Sequence, residues 1–168
     1  MLSPWALGCR SGATELVSKE CGVAIMMPGS PAYEPHNFVV EGETLTNHRS
    51  RVLKDRITYG FVCTPAPGLG DGQTPQQLLE SAKHGWLTGR DKRLIGEHYV
   101  VLHGHRGLEL VMAMTASGET LRNRIFVFPN LAVNVSVLGS EADVALPVAD
   151  QFLDSLRFLP ISDTRPIL

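Results

Sequence analysis

Alternation of apolar and polar residues predicts that most of this chain is β-strand. The clearest pattern lies in Arg106–Leu138, where three β-rich runs are separated by Ser117-Gly118 and Pro129-Asn130. In the first and third runs, apolar residues recur at every second position, which is the period of a strand with one buried face. Short connections between such runs are typical of an antiparallel meander. We therefore expect a three-stranded meander whose buried face is covered by a helix or a second sheet.

Shorter or weaker patterns predict further strands before the meander. These runs are Gly22–Pro28, Phe38–Val40, Leu45–Leu53, Arg56–Thr64 and Leu94–His103. In the fourth run, Tyr59, Phe61 and Cys63 share the apolar face, which predicts that Cys63 is an inert core thiol.

Two stretches favour helix. In Thr74–Thr88, Thr74 suits the N-cap, Pro75 suits the first helical position, and Gln77 can complete a capping box. The second stretch is Leu146–Ser155. We expect Trp86 and Phe152 to be buried and to hold the two helices against the sheet.

Length and composition favour one α+β domain. A chain of 168 residues can bury one substantial core, and its 16 glycines and 11 prolines suit many turns. We expect a loose lead-in at residues 1–19, a single α+β domain at 20–160 and a flexible tail at 161–168. The domain should hold an antiparallel sheet of about six to eight strands flanked by two main helices.

The charge pattern excludes some partners. The formal net charge is −2 and no basic stripe is present, so we do not expect nucleic-acid binding. No apolar run approaches the roughly 18 residues of a membrane span. We expect no cofactor, and we expect the partner to be another protein.

His103-Gly104-His105 is the sharpest candidate for metal chemistry. On a continuous strand the two imidazoles would lie about 7 Å apart on one face, which suits a shared metal ion. Plausible third ligands are His48, Glu97 and Glu109. Gly104 and Gly107 instead indicate that the chain turns here, which favours two surface histidines on a hairpin. Similarly, Arg122 and Arg124 share a strand face and could bind an anion, although a solvated edge is the default interpretation.

The three cysteines bear on localisation. Cys9 follows Ala6-Leu7-Gly8, which resembles a lipoprotein processing site, but no basic and apolar leader precedes it. Lipid attachment at Cys9 would therefore require a true start upstream of Met1. In an exported protein Cys21 and Cys63 could form a disulfide if their strands are neighbours, whereas in the cytoplasm they would stay reduced.

Three motifs resemble those of a known family. They are Met27-Pro28-Gly29-Ser30-Pro31, the hairpin pattern G-x-x-G-x-E at Gly104–Glu109, and Phe152-Leu153-Asp154-Ser155-Leu156-Arg157-Phe158. The chain resembles small bacterial envelope domains of the PsbP/Mog-type α/β fold. It departs from the usual form at Ile25-Met26, which lacks an aromatic residue before Met27, and at Ile125-Phe126.

The resemblance implies an antiparallel sheet flanked by helices and a non-enzymatic role. Our leading hypothesis is a non-catalytic accessory or binding domain of the bacterial cell envelope or periplasm, with a cytoplasmic location as the alternative. The sequence contains no recognisable set of nucleophile, base and oxyanion donors. The alternative function is a metal-binding protein or metal-dependent enzyme centred on His103 and His105.

Overall fold

Two antiparallel sheets and three helices form the part of the chain that the computed structural model describes, which is residues 12–160 except 41, 67, 69, 70 and 90. In chain order the elements are β1 (Thr14–Ser18), β2 (Val23–Met27), β3 (Ala32–Val40), β4 (Glu43–Lys54), β5 (Ile57–Pro65), α1 (Pro75–Leu87), β6 (Lys92–Leu102), β7 (His105–Met114), β8 (Thr120–Phe128), β9 (Leu131–Gly139), α2 (Glu141–Val144), α3 (Pro147–Leu153) and β10 (Arg157–Phe158). The α+β class expected from the sequence is confirmed.

The main sheet has seven strands in the order β3-β4-β5-β9-β8-β7-β6. The predicted meander is β7-β8-β9, and Ile125 on its central strand pairs with Leu108 on one side and Asn134 on the other. The weak signals at 33–54 correspond to two long strands, β3 and β4, which form one hairpin. The strand count of this sheet lies within the predicted range.

A second, three-stranded sheet with the order β1-β2-β10 was not predicted. The expectation of a loose lead-in at residues 1–19 is wrong for Thr14–Ser18, which pair with Val23–Met27. The five-residue β1 carries too little periodicity to be recognised. The sequence does predict a short extended piece at Arg157-Phe158-Leu159, which is β10, but not its pairing with β2 near the other end of the described chain.

Each face of the main sheet has its own cover. The inner face, as we call it, packs against the small sheet and α3, and its core includes Tyr59, Phe126 and Val135. The outer face packs against α1, where Leu79 joins the cluster of Leu110 and other residues of β7 and β8. Strands β7 and β8 are therefore covered on both faces.

The helix ends follow the local sequence. The capping box of α1 is formed as predicted: the Thr74 hydroxyl accepts from the Gln77 backbone N–H at 3.2 Å, and Gln77 Oε1 accepts from the Thr74 N–H at 2.8 Å.

Helix α3 is shorter than predicted. The Ser155 hydroxyl donates to the Phe152 carbonyl at 2.7 Å and accepts from the Met26 N–H at 3.2 Å, which joins the chain after α3 to β2. The short helix α2, capped by Ser140, was not predicted.

The two aromatic anchors differ in burial. Phe152 is 4% exposed and packs edge-to-face on Tyr59, with 5.1 Å between ring centroids, so α3 is anchored as predicted. Trp86 is only half-buried, although it does pack on the outer-face core. Among the described residues, no helix is long and apolar enough to cross a membrane.

Candidate functional site

His103 and His105 lie on either side of a hairpin turn rather than along one strand. His103 (φ 50°) and Gly104 (φ 82°) are the two turn residues between β6 and β7, and His105 pairs with Leu102. The two imidazoles therefore do not share one face of a continuous strand, and the hairpin favoured by Gly104 and Gly107 is confirmed. The His105 ring instead packs against Phe128 and Phe158, at centroid distances of 5.3 and 4.5 Å.

The proposed third ligands have other contacts. Glu97 forms an ion pair with Lys83 at 2.5 Å, Glu109 is bound by two arginines, and the His48 Nδ1 lies 2.9 Å from the Tyr33 hydroxyl. Within the described ranges, no group of three or more His, Cys, Asp or Glu side chains could hold a metal ion. Metal binding by His103 and His105 stays a prediction.

Cys21 and Cys63 form a disulfide, with 6.3 Å between their Cα atoms. Cys21 lies two residues before the start of β2 of the small sheet and Cys63 lies on β5 of the main sheet, so the bond joins the two sheets across the inner core. Strands β2 and β5 face one another across this core but are not hydrogen-bonded neighbours. Cys63 is buried as predicted, but it is bonded rather than a free thiol. Cys9 lies outside the described residues.

A pocket of about 280 Å³ lies beside the disulfide, and its lining combines polar residues such as Glu20 with apolar ones such as Leu16 and Phe61. His48 is directly opposite Cys63 in the β4–β5 register, and the Ser18 hydroxyl lies 3.5 Å from Cys63 Sγ. A hydrogen bond from its own backbone is the main cause that lowers the pKa of Glu20, with His48 also contributing. Because the sulfur atoms are bonded to each other, this cluster offers no thiol nucleophile.

Arg122 and Arg124 are not on a solvated edge, because both bind the buried carboxylate of Glu109. Arg122 Nε donates to Glu109 Oε1 at 2.9 Å, and Arg124 Nε donates to Oε2 at 2.6 Å. Arg122 also donates to Asp150 on α3 and to the Val144 carbonyl, and Arg124 also donates to Asp154 after α3. Burial lowers the pKa of each arginine, but the facing carboxylates outweigh it and the net pKa is raised. This ionic cluster attaches α3 to the inner face, and its three carboxylates offset the two guanidinium charges, which disfavours binding of an anion.

Sequence reasoning missed the role of Glu109. A signal was present, since a single acidic residue follows the G-x-x-G motif within an apolar run and two arginines share one face of the next strand. What could not be seen was that α3 covers this face.

A further pocket of about 180 Å³ lies between β5, α3 and the β4–β5 turn. Its lining includes the apolar groups of Pro28, Tyr59, Val148 and Phe152, and the polar residues Lys54, Asp55 and Gln151. Tyr59 is 2% exposed and forms part of the pocket wall. Burial, with a smaller contribution from Asp55, raises the pKa of Tyr59 and keeps its hydroxyl protonated. Sequence reasoning placed Tyr59 in the core without detecting this pocket.

Comparison with known structures identifies the architecture. The solution structure of cyanobacterial PsbP (CyanoP) from Synechocystis sp. PCC 6803 is similar to this chain, with a TM-score of 0.54 and 11% sequence identity, over 94% of this chain and 98% of that one. The fold is PsbP-like. A protein of unknown function from Pseudomonas aeruginosa, described as a putative regulator, gives a TM-score of 0.48 and 12% identity over 86% of this chain and 95% of its own. No family model and no curated protein sequence matches the chain.

The PsbP-like motifs have structural explanations in this chain. At Gly107 an added Cβ would lie 2.6 Å from the Phe126 ring and 2.7 Å from the Ile125 carbonyl oxygen, so no side chain fits. Met27 is fully buried, and Gly29 lies against Val52. These residues maintain close packing between elements, so the motifs contribute to the fold.

Proposed function

We propose that this protein is a non-catalytic accessory or binding domain of the bacterial cell envelope. The observation that carries the proposal is the Cys21–Cys63 disulfide. Disulfides persist in oxidising compartments such as the periplasm and cell surface, and they are rare in the cytosol. Lipid attachment at Cys9 belongs to the same proposal, because it would hold an exported domain at a membrane.

A binding role fits the chemistry of the described residues better than catalysis. The two thiols are joined, and the most buried carboxylate, Glu109, is neutralised by Arg122 and Arg124. Among these residues we find no nucleophile that is paired with a base and an oxyanion site. The proposed partner is another protein.

Fractionation of the native cell tests the location. The protein is expected in the envelope fraction, and Cys9→Ala is expected to release it from the membrane into the soluble periplasm. Cys21→Ala serves as the matched cysteine control, because it should leave membrane association intact. Recovery of the wild-type protein from the cytoplasm would contradict the proposal.

The alternative is a metal-binding protein or metal-dependent enzyme that uses His103 and His105. Elemental analysis of the purified protein decides between the two functions. Stoichiometric zinc that is lost on His103→Ala would favour the alternative, whereas the same trace metal content in both proteins would favour the binding domain.

A further inference from the structure

We infer that the free edge of β6 pairs with the same edge of a second copy of this chain, so that two seven-stranded sheets become one continuous antiparallel sheet. The pairing segment is residues 97–102, which read Glu-His-Tyr-Val-Val-Leu. The inference goes beyond the proposed function, because self-association through this edge does not depend on where the protein is located.

Residues 97–102 form an unprotected sheet edge. β6 is the last strand of the main sheet, so within the described part of the chain its far side has no strand partner. Unpaired backbone N–H and C=O groups along an edge are a template for another strand. β3, at the opposite edge, contains Pro35, which has no N–H to donate, and the first half of β6 is interrupted by a bulge between Leu94 and Gly96. Residues 97–102 contain neither a proline nor a bulge.

The side chains of this segment are apolar on both faces of the sheet. Tyr99 lies opposite Leu108 in the register and therefore on the outer face with Val101, and their exposed fractions are 42% and 72%. On the inner face, Val100 and Leu102 are only partly buried against the inner core. Apolar side chains that continue to an open edge would gain burial if a second strand were added there.

Tyr99 is held in one orientation although it is exposed. Its hydroxyl donates to the Glu80 carboxylate at 3.2 Å, and the Arg106 guanidinium lies 4.0 Å from the ring centroid. Arg106 belongs to β7, on the side away from the free edge. The ring therefore loses little conformational freedom on association, which lowers the entropic cost of pairing.

The two-fold symmetry of a homodimer limits the register. When identical edges pair antiparallel, the axis is perpendicular to the sheet, and each face of one sheet continues the same face of the other. One residue must then lie opposite itself. With Val100 in that position, Tyr99 of each copy lies opposite Val101 of the other, and two aromatic–β-branched pairs form on the outer face. His98 and Leu102 lie opposite each other on the inner face.

The neighbouring registers are less favourable. If Tyr99 lay opposite itself, the Glu97 carboxylate would lie opposite the apolar Val101. If Val101 lay opposite itself, Tyr99 would lie opposite His103, which is in the turn after β6 and is not extended (φ 50°). The segment is thus self-complementary in one register, and this favours a second copy over an unrelated strand.

Sedimentation velocity of the purified full chain at increasing protein concentration tests the pairing. We expect the wild type to shift from monomer to dimer as the concentration rises into the millimolar range. Val101→Lys should remain a monomer under the same conditions, because a lysine on an edge strand opposes the addition of another strand. A wild-type protein that stays monomeric throughout would overturn the inference.

Val39→Lys is the matched control, because it places the same charge at an exposed valine (67%) on β3, the opposite edge strand. It should dimerise like the wild type. Both valines are exposed, so neither variant is expected to lower the melting temperature appreciably. Equal loss of the dimer in the two variants, or no loss in either, would contradict the assignment to the β6 edge.

Disulfide cross-linking tests the register. Val100→Cys and Val101→Cys are each made in a Cys9→Ser background, which removes the remaining thiol, and are oxidised under the same conditions. Residues directly opposite in an antiparallel pair have Cα atoms about 4.5–5.5 Å apart, which is within the range of a disulfide. The Val100→Cys variant should form intermolecular disulfides several-fold faster, although Val101 is the more exposed position. Equal or faster cross-linking of the Val101→Cys variant would contradict this register.

These tests are independent of the test of location. A protein that is monomeric but found in the envelope would remove only this interface. A dimer that is recovered from the cytoplasm would leave the interface in place and contradict the proposed envelope function.

Discussion

The indole nitrogen of Trp86 donates a hydrogen bond to the side-chain oxygen of Asn134 at 3.0 Å, which joins helix α1 to strand β9. Asn123 lies on the same outer face, one strand away, and is fully buried. Within the described residues, neither polar atom of the Asn123 amide has a hydrogen-bond partner. The two asparagines therefore allow a comparison between a half-buried amide whose oxygen is hydrogen-bonded and a fully buried amide without a partner.

We predict opposite effects when each asparagine is replaced by leucine. Asn134→Leu leaves the Trp86 N–H without its acceptor and should lower the free energy of unfolding by about 1–3 kcal/mol. Asn123→Leu removes an amide that has no partner, so it should leave stability unchanged or raise it. Chemical denaturation measures both values, and equal losses in the two variants would contradict the assigned contacts.

The unequal burial of the two aromatic anchors predicts unequal losses on truncation. Phe152→Ala should cost about 3–5 kcal/mol, because it empties a site in the inner core. Trp86→Ala should cost less, since this side chain is only half-buried. Urea denaturation compares them, and a loss at Trp86 that exceeds the loss at Phe152 would argue against this packing.

Removing the charge of Glu109 should lower the free energy of unfolding far more than removing the charge of Asp150. Glu109 is 1% exposed and binds both Arg122 and Arg124, so Glu109→Gln is expected to cost about 3–5 kcal/mol. The Asp150 carboxylate is 52% exposed, and Asp150→Asn should cost about 1 kcal/mol or less. Similar losses from the two variants in thermal denaturation would show that the cluster does not anchor α3.

Tyr59 should contribute to loss of stability at alkaline pH. Its pKa is raised in the folded protein, mainly by burial, so the unfolded chain releases the Tyr59 proton first. Stability is therefore complete below the ordinary tyrosine pKa of about 10 and falls as the pH rises above it. Tyr59→Phe should show a shallower decline than wild type between about pH 9 and 11. Identical pH profiles would mean that Tyr59 is not perturbed.

The sequence predicted the elements whose signals are local. The alternation in Arg106–Leu138 gave the meander, and Thr74 with Gln77 gave the start of α1. The small sheet was missed because β1 and β10 are short and depend on pairing with β2. Strand periodicity places the side chains of Glu109 and Leu108 on opposite faces of the sheet. It cannot show that α3 covers the face on which Glu109 lies.

The candidate sites are harder to predict than the fold, because they depend on contacts between segments that are distant in the sequence. The turn at His103-Gly104 was indicated by its glycine, and the structure confirms it. The sequence alone does not decide whether Cys21 and Cys63 are bonded, because the bond depends on how the two sheets pack against each other. The Tyr59 pocket arises where α3 meets the β4–β5 turn, and no local pattern encodes that meeting.

The redox state of Cys21 and Cys63 in the native cell tests the central claim most directly. Protein isolated from that cell is denatured in the presence of N-ethylmaleimide, which alkylates free thiols. Its peptides are then examined by mass spectrometry before and after reduction. Our account predicts that neither cysteine reacts before reduction and that one peptide pair contains the Cys21–Cys63 bond. Labelling of both cysteines before reduction would contradict an exported, disulfide-bonded binding domain.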